Sequence, residues 1–92
     1  MDNMELICNS NYTYFYKSKI GLFYIKFNPK TALWELWMND GMYGDFPSTI
    51  GAADNVYVHA TGCFEWDDLD GTIDDVPTDI YEWERKPNKG YE

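Results

Sequence analysis

Asp67, Asp68, Asp70, Asp74 and Asp75 crowd one short stretch of the chain, and carboxylates at that density could hold a hard cation. Calcium takes about six to eight oxygens from fixed loop positions, with glycine at the sixth to allow the sharp turn. Setting Gly71 at that sixth position puts Trp66 first and Pro77 twelfth, and neither side chain coordinates. The register fails, so the run reads as a solvated, charged face, and no metal or cofactor is expected. His59 and Cys63 stand four apart and would share one side of a helix end. Zinc needs three or four ligands, and the other thiol, Cys8, lies on a distant segment. As a nucleophile and base the pair lacks an orienting third group and an oxyanion loop. Gly41-Met42-Tyr43-Gly44 has neither the spacing nor the lysine of a phosphate-cradling loop. Among so many acids, a carboxylate pair at glycosidase separation would arise by chance. An enzyme is not expected.

What the acids offer is surface. Residues 65–92 carry ten carboxylates against three basic residues, within a chain of net charge −9. Pure charge would read as a disordered tail, which lacks the apolar area that offsets ordering entropy. Here Trp66, Tyr81, Trp83 and Tyr91 are interleaved with the acids, so the segment reads as an arm that docks, with a charged rim around large rings. An acidic surface repels phosphate backbones and anionic lipid. Direct binding to nucleic acid or a membrane is therefore not expected, and a basic protein partner is. Two cysteines are too few for a disulfide framework, though they allow one bridge. The N-terminal residues show no basic region or long apolar stretch, so the expected location is the cytoplasm.

The elements that must position this arm are legible from periodicity. Ninety-two residues suit one domain, 1–92. Tyr12–Tyr16 is an aromatic and β-branched run, and Leu22–Phe27 and Ala32–Met38 are further strand-like runs rich in apolar and aromatic residues. They are separated by Ser18–Gly21 and by Asn28-Pro29-Lys30-Thr31, a strong turn. Asp40-Gly41 is expected to supply the positive φ values of a hairpin turn, after which a short strand, Met42–Phe46, pairs back. Ser48 then caps a helix over 48–61, with Ile50, Ala53, Val56, Tyr57 and Ala60 at helical spacing and Gly62 as the C-terminal cap. A shorter helix begins after Pro77, capped by Thr78. Residues 1–10 and 86–92 are expected to be peripheral. The reading is an α+β fold: a three- to four-stranded antiparallel meander over about 11–46, packed on one α-helix, with an acidic C-terminal arm over about 63–86 that contains a short helix.

The sheet poses a problem of coverage. Trp34, Leu36 and Met38 lie on one face of their strand, and Leu33, Glu35 and Trp37 on the other. One helix covers one face. The arm is the expected cover for the second, through Trp66, Leu69, Ile80 and Trp83; the alternatives are a homodimer through the aromatic sheet face or a foreign partner.

Two resemblances bear on this layout. The meander followed by a helix opening Gly44-Asp45-Phe46-Pro47-Ser48-Thr49-Ile50-Gly51-Ala52-Ala53 resembles the plant AP2-type DNA-binding domain over about residues 20–62. That family reads the major groove with arginines and tryptophans. Here Trp34 and Trp37 match in type, but the only cations before residue 65 are Lys17, Lys19, Lys26 and Lys30, so the resemblance carries no function across. Over most of its length, through Trp34-Glu35-Leu36-Trp37, Ala52-Ala53-Asp54-Asn55-Val56, Thr61-Gly62 and Trp66-Asp67, the chain resembles small bacterial domains with an Ala-Ala-Asp-x-Val, Thr-Gly and Trp-Asp pattern. No activity is attached to them. Asn55 and the order Pro47-Ser48 depart from that pattern at the helix start.

The functional expectation is a small, non-enzymatic, acidic protein-binding module. It suits an inhibitor of a basic nucleic-acid-handling protein, of phage anti-defence or immunity type, with Trp66 as anchor and Asp67, Asp68, Asp70, Asp74 and Asp75 as the partner-binding acids. The alternatives are an accessory domain whose charges only solvate it and a nucleic-acid reader using the aromatic sheet.

Overall fold

A computed structural model describes residues 9–88. Strands β1 (Tyr12–Lys17), β2 (Leu22–Asn28), β3 (Leu33–Met38) and β4 (Gly41–Phe46) form the expected meander. Helices α1 (Thr49–Tyr57) and α2 (Phe64–Asp67) follow, then a 3₁₀ turn (Ile80–Glu82) and a fifth strand, β5 (Glu84–Pro87). The sheet is antiparallel throughout, in the order β4-β3-β2-β1-β5. The strand count thus exceeds the expected three or four, and residues 86 and 87, expected to be peripheral, are part of the sheet. β5 pairs Tyr12 with Pro87 and Phe15 with Glu84. It is short, charged and ends in proline, which is how an edge strand avoids recruiting another chain. Of the rest of the expected periphery, Asn88 also joins this edge, its Nδ2 donating to Ser10 C=O at 3.0 Å, and residues 1–8 and 89–92 lie outside the described residues.

The turns follow local chemistry. Asn28 Oδ1 accepts from the Lys30 N–H at 2.9 Å, and its carbonyl accepts from Ala32 at 2.8 Å. Between β3 and β4 the positive φ falls on Asn39 (54°) rather than on Asp40 and Gly41. The Asn39 side-chain oxygen accepts from Leu22 N–H at 3.3 Å. Opposite that corner, a Cβ on Gly21 would lie 2.7 to 2.9 Å from the Asn39 side chain and Met38 sulfur, so this approach requires glycine.

Ser48 caps α1 as expected, its Oγ accepting from Gly51 N–H at 3.3 Å. The buried face is Thr49, Ala52, Ala53 and Val56, an i, i+3, i+4, i+7 stripe. Ile50, Tyr57 and Ala60, expected to be on that face, are exposed. Two adjacent alanines bring the helix close to the sheet, which rotates the larger residues to its flanks. The helix ends before the expected residue 61. His59 adopts a left-handed φ of 56°, Ala60 N–H donates to Asn55 C=O, and His59 N–H donates to Val56 C=O. This is a Schellman ending with histidine in the place glycine usually takes, so Gly62 is not the cap.

The buried side chains between α1 and β5 pack on the same face of the sheet as the helix. Trp66, Ile80 and Trp83 join Tyr14, Phe23, Ile25, Trp34, Leu36 and Val56 in one cluster. The Trp66 ring meets Phe23 edge-on at 5.2 Å and Tyr16 at 6.0 Å. The expectation that the arm covers the second face is therefore corrected. β4 and β5 lie on opposite edges, so the chain between them makes one crossing, and helix and arm share the face it crosses. The expected short helix of the arm is the 3₁₀ turn, capped by Asp79, whose Oδ1 accepts from Tyr81 N–H at 2.9 Å, and not by Thr78. Trp83 is buried with an unpartnered Nε1 among the described residues. No helix of the described residues is long and apolar enough to cross a membrane.

Candidate functional site

Trp66 organises the arm from below. Its side chain is 0 % exposed, its Nε1 donates to Val56 C=O at 2.9 Å, and the His59 ring stacks on it at 4.4 Å and 12°. His59 Nδ1 lies 2.8 Å from the Trp66 carbonyl. That bond and the stack hold the histidine in its left-handed conformation, which costs a non-glycine residue about 1–2 kcal/mol. The Trp66 ring thus has no surface to lend a partner; its place is in the core.

Asp67 is likewise occupied. One carboxylate oxygen accepts from the Thr61 N–H (3.0 Å) and hydroxyl (2.9 Å), and the other from Gly62 N–H (2.9 Å). Thr61 Oγ1 in turn accepts from Cys63 N–H at 3.0 Å. This clamp shapes the loop between α1 and α2. Asp68, Asp70, Asp74 and Asp75 are exposed, and no salt bridge joins them to a described residue. Asp75 stands near Tyr16, whose hydroxyl pKa is raised, first by burial and then by that carboxylate.

Among the aromatic side chains of the arm, Tyr81 is exposed and Phe64 more so. Phe64 is 83 % exposed, at the start of α2 beside Glu65 and one turn from Asp68. Residues two apart on a helix point about 200° from each other, so burying Trp66 turns Phe64 outward. The two-residue offset was readable in the sequence once one ring was known to be buried; which ring went inward was not.

His59 and Cys63 do not form a pair. The histidine is engaged with Trp66. The thiol of Cys63 is free and buried, and its proximity is the first cause of a raised pKa at Tyr43. The bridge that two cysteines would allow involves Cys8, which lies outside the described residues. Among the described residues, no group of three or more His, Cys, Asp or Glu side chains is placed to hold a metal ion.

No helix or arm of the described residues covers the second face of the sheet, and its rings are capped by its own polar groups. Tyr24 and Trp37 stack at 5.9 Å and 8° across β2 and β3. Lys26 Nζ sits 4.6 Å over the Trp37 ring, and Lys86 Nζ 5.7 Å over Phe15. Trp37 Nε1 donates to Glu35 at 3.0 Å and Asn28 Nδ2 donates to its other oxygen at 2.8 Å. These two hydrogen bonds, the Asn28 one first, lower the Glu35 pKa.

No family model matches this chain, and no curated protein or solved structure matches it either. The two resemblances in the sequence gain no support from these comparisons, so any functional reading rests on the geometry.

Proposed function

We propose that this chain is a non-enzymatic protein-binding module that presents the carboxylates of residues 65–82 to a basic protein, with Phe64 as the aromatic contact. The observation that carries the reading is Phe64 itself: a large exposed ring next to Glu65 and one turn from Asp68, on a short helix whose Trp66 is buried in the core. A single exposed ring is tolerated on a monomer, but a ring bordered by charge is also the make-up of a binding hot spot, and that is the use proposed for it. Asp68 and Asp75, in no salt bridge with a described residue, would speed encounter with a positively charged partner and fix its orientation. Inhibition of a basic nucleic-acid-handling protein in the cytoplasm, of phage anti-defence or immunity type, is the specific role that suits this charge.

Capture from the native host at low and high salt tests the reading. A true partner is lost as ionic strength rises, and Phe64→Ser or Asp68→Lys weakens it by about 2 kcal/mol or more without unfolding the chain. A partner indifferent to both substitutions rejects the proposal. A homodimer through the open sheet face is a second reading, favoured by exposed Leu22 and Met42 beside the Tyr24–Trp37 stack. Sedimentation of Met42→Lys against the parent chain separates the two.

A further inference from the structure

A cleft of about 540 Å³ opens between the end of α1 and the loop after α2, lined by Tyr57, Val58, His59, Asp70, Ile73 and Asp74 among others. His59 is the informative residue there. It is 9 % exposed, and its Nδ1 faces the Trp66 carbonyl, which only accepts, so Nδ1 carries the proton. In the neutral ring Nε2 is then a lone pair, and it hydrogen-bonds to no described residue. The His59 side chain lines this cleft. Asp70 and Asp74 add carboxylate oxygens, Val58 and Ile73 an apolar wall, and Tyr57 a ring.

The lining therefore combines acceptors and negative charge with apolar side chains that an aliphatic stem could lie against. What complements it is a cation with several donors. We propose that this cleft receives an arginine side chain of the basic partner, a specification that rests on the acidic-surface reading above. Arginine fits better than lysine because its planar guanidinium presents five donors in fixed directions and lies against aromatic rings. Lysine's ammonium is a compact, strongly hydrated point charge. A bare divalent ion fits poorly, because no three ligating side chains converge among the described residues.

The test uses the full chain and a capped Gly-Arg-Gly peptide, with its citrulline counterpart, isosteric but uncharged, as control, followed by amide NMR titration. Saturable shifts are expected at Val58, His59, Ile73 and Thr78. The citrulline peptide should bind about tenfold more weakly, and so should the arginine peptide to Asp70→Asn/Asp74→Asn, since each change removes charge-assisted hydrogen bonds. Both aspartates are exposed, so the variant keeps its fold, which the unperturbed amides of the sheet verify. Equal binding of the two peptides, an unaffected double variant, absent saturation, or shifts spread over Glu65, Asp68 and Glu82 instead would each overturn the proposal. If the cleft fails while partner capture still depends on Phe64 and Asp68, only this inference is lost. If arginine titrates into the cleft while no salt-sensitive partner is found, the broader reading falls and the site remains.

Discussion

The two faces of this sheet handle the same side-chain type in opposite ways. On the face crossed by α1 and the arm, Trp34, Trp66 and Trp83 are buried among apolar neighbours. On the other face Trp37 stays half-exposed under Lys26, with its indole N–H on Glu35. The first arrangement stabilises by removing area from water, at about 25 cal/mol per Å². The second leaves the rings wet at their edges and satisfies them with cations and carboxylates, each contact contributing about 0.5–1 kcal/mol. Polar neighbours that cap an aromatic face lower the cost of leaving its rings in water.

The largest effect expected from breaking this contrast is at Trp66. Trp66→Ala should cost about 3–5 kcal/mol, and because the ring pins the arm, NMR relaxation should show residues 68–78 loosening before the sheet melts. A rigid arm in a folded Trp66→Ala chain would disprove the pinning. Next comes Asp67→Ala, which leaves the Thr61 and Gly62 donors without their acceptor and should cost about 1–3 kcal/mol in urea denaturation. Asp68→Ala, on the same turn but unpaired, should stay within about 0.5 kcal/mol. On the open face, Trp37→Ala should cost about 1–2 kcal/mol, the sum of a ring pair and a cation contact. It should leave core amide exchange unchanged; a core response would mean the faces are coupled.

The smallest effect concerns pH. The Glu35 pKa is lowered on folding, so its contribution is present above the ordinary carboxylate value of 4.5 and is lost as pH falls through the lower folded value. Thermal midpoints of the parent chain and Glu35→Gln should therefore differ near neutrality and converge in acid below that window. Parallel curves throughout would show that the carboxylate's charge does nothing for the open face.

Much of the frame was legible along the chain. Alternation in Tyr12–Tyr16, Leu22–Phe27 and Leu33–Met38, the Asn28-Pro29 turn and the Ser48 cap are local features, set by residues a few positions apart. β5 was hidden because Glu84-Arg85-Lys86-Pro87 is charged and ends in proline, the composition of a loop, and it becomes a strand only beside β1. The premature end of α1 was hidden because His59 takes the left-handed conformation only with Trp66 stacked against it. At the candidate site, the acids were visible as a group. Their division into Asp67, which clamps a loop, and Asp68, Asp70, Asp74 and Asp75, which face solvent, was not.

The sequence by itself determined the strand periods, the turn positions and the concentration of negative charge after residue 65, because each depends on neighbouring side chains and backbone preferences. Only the tertiary structure decided which sheet face the arm would cover, and with it that Trp66 points inward and Phe64 outward. The reason is topological: both faces were apolar enough to attract the arm, and pairing β5 beside β1, at the edge opposite β4, made the chain between them cross a single side.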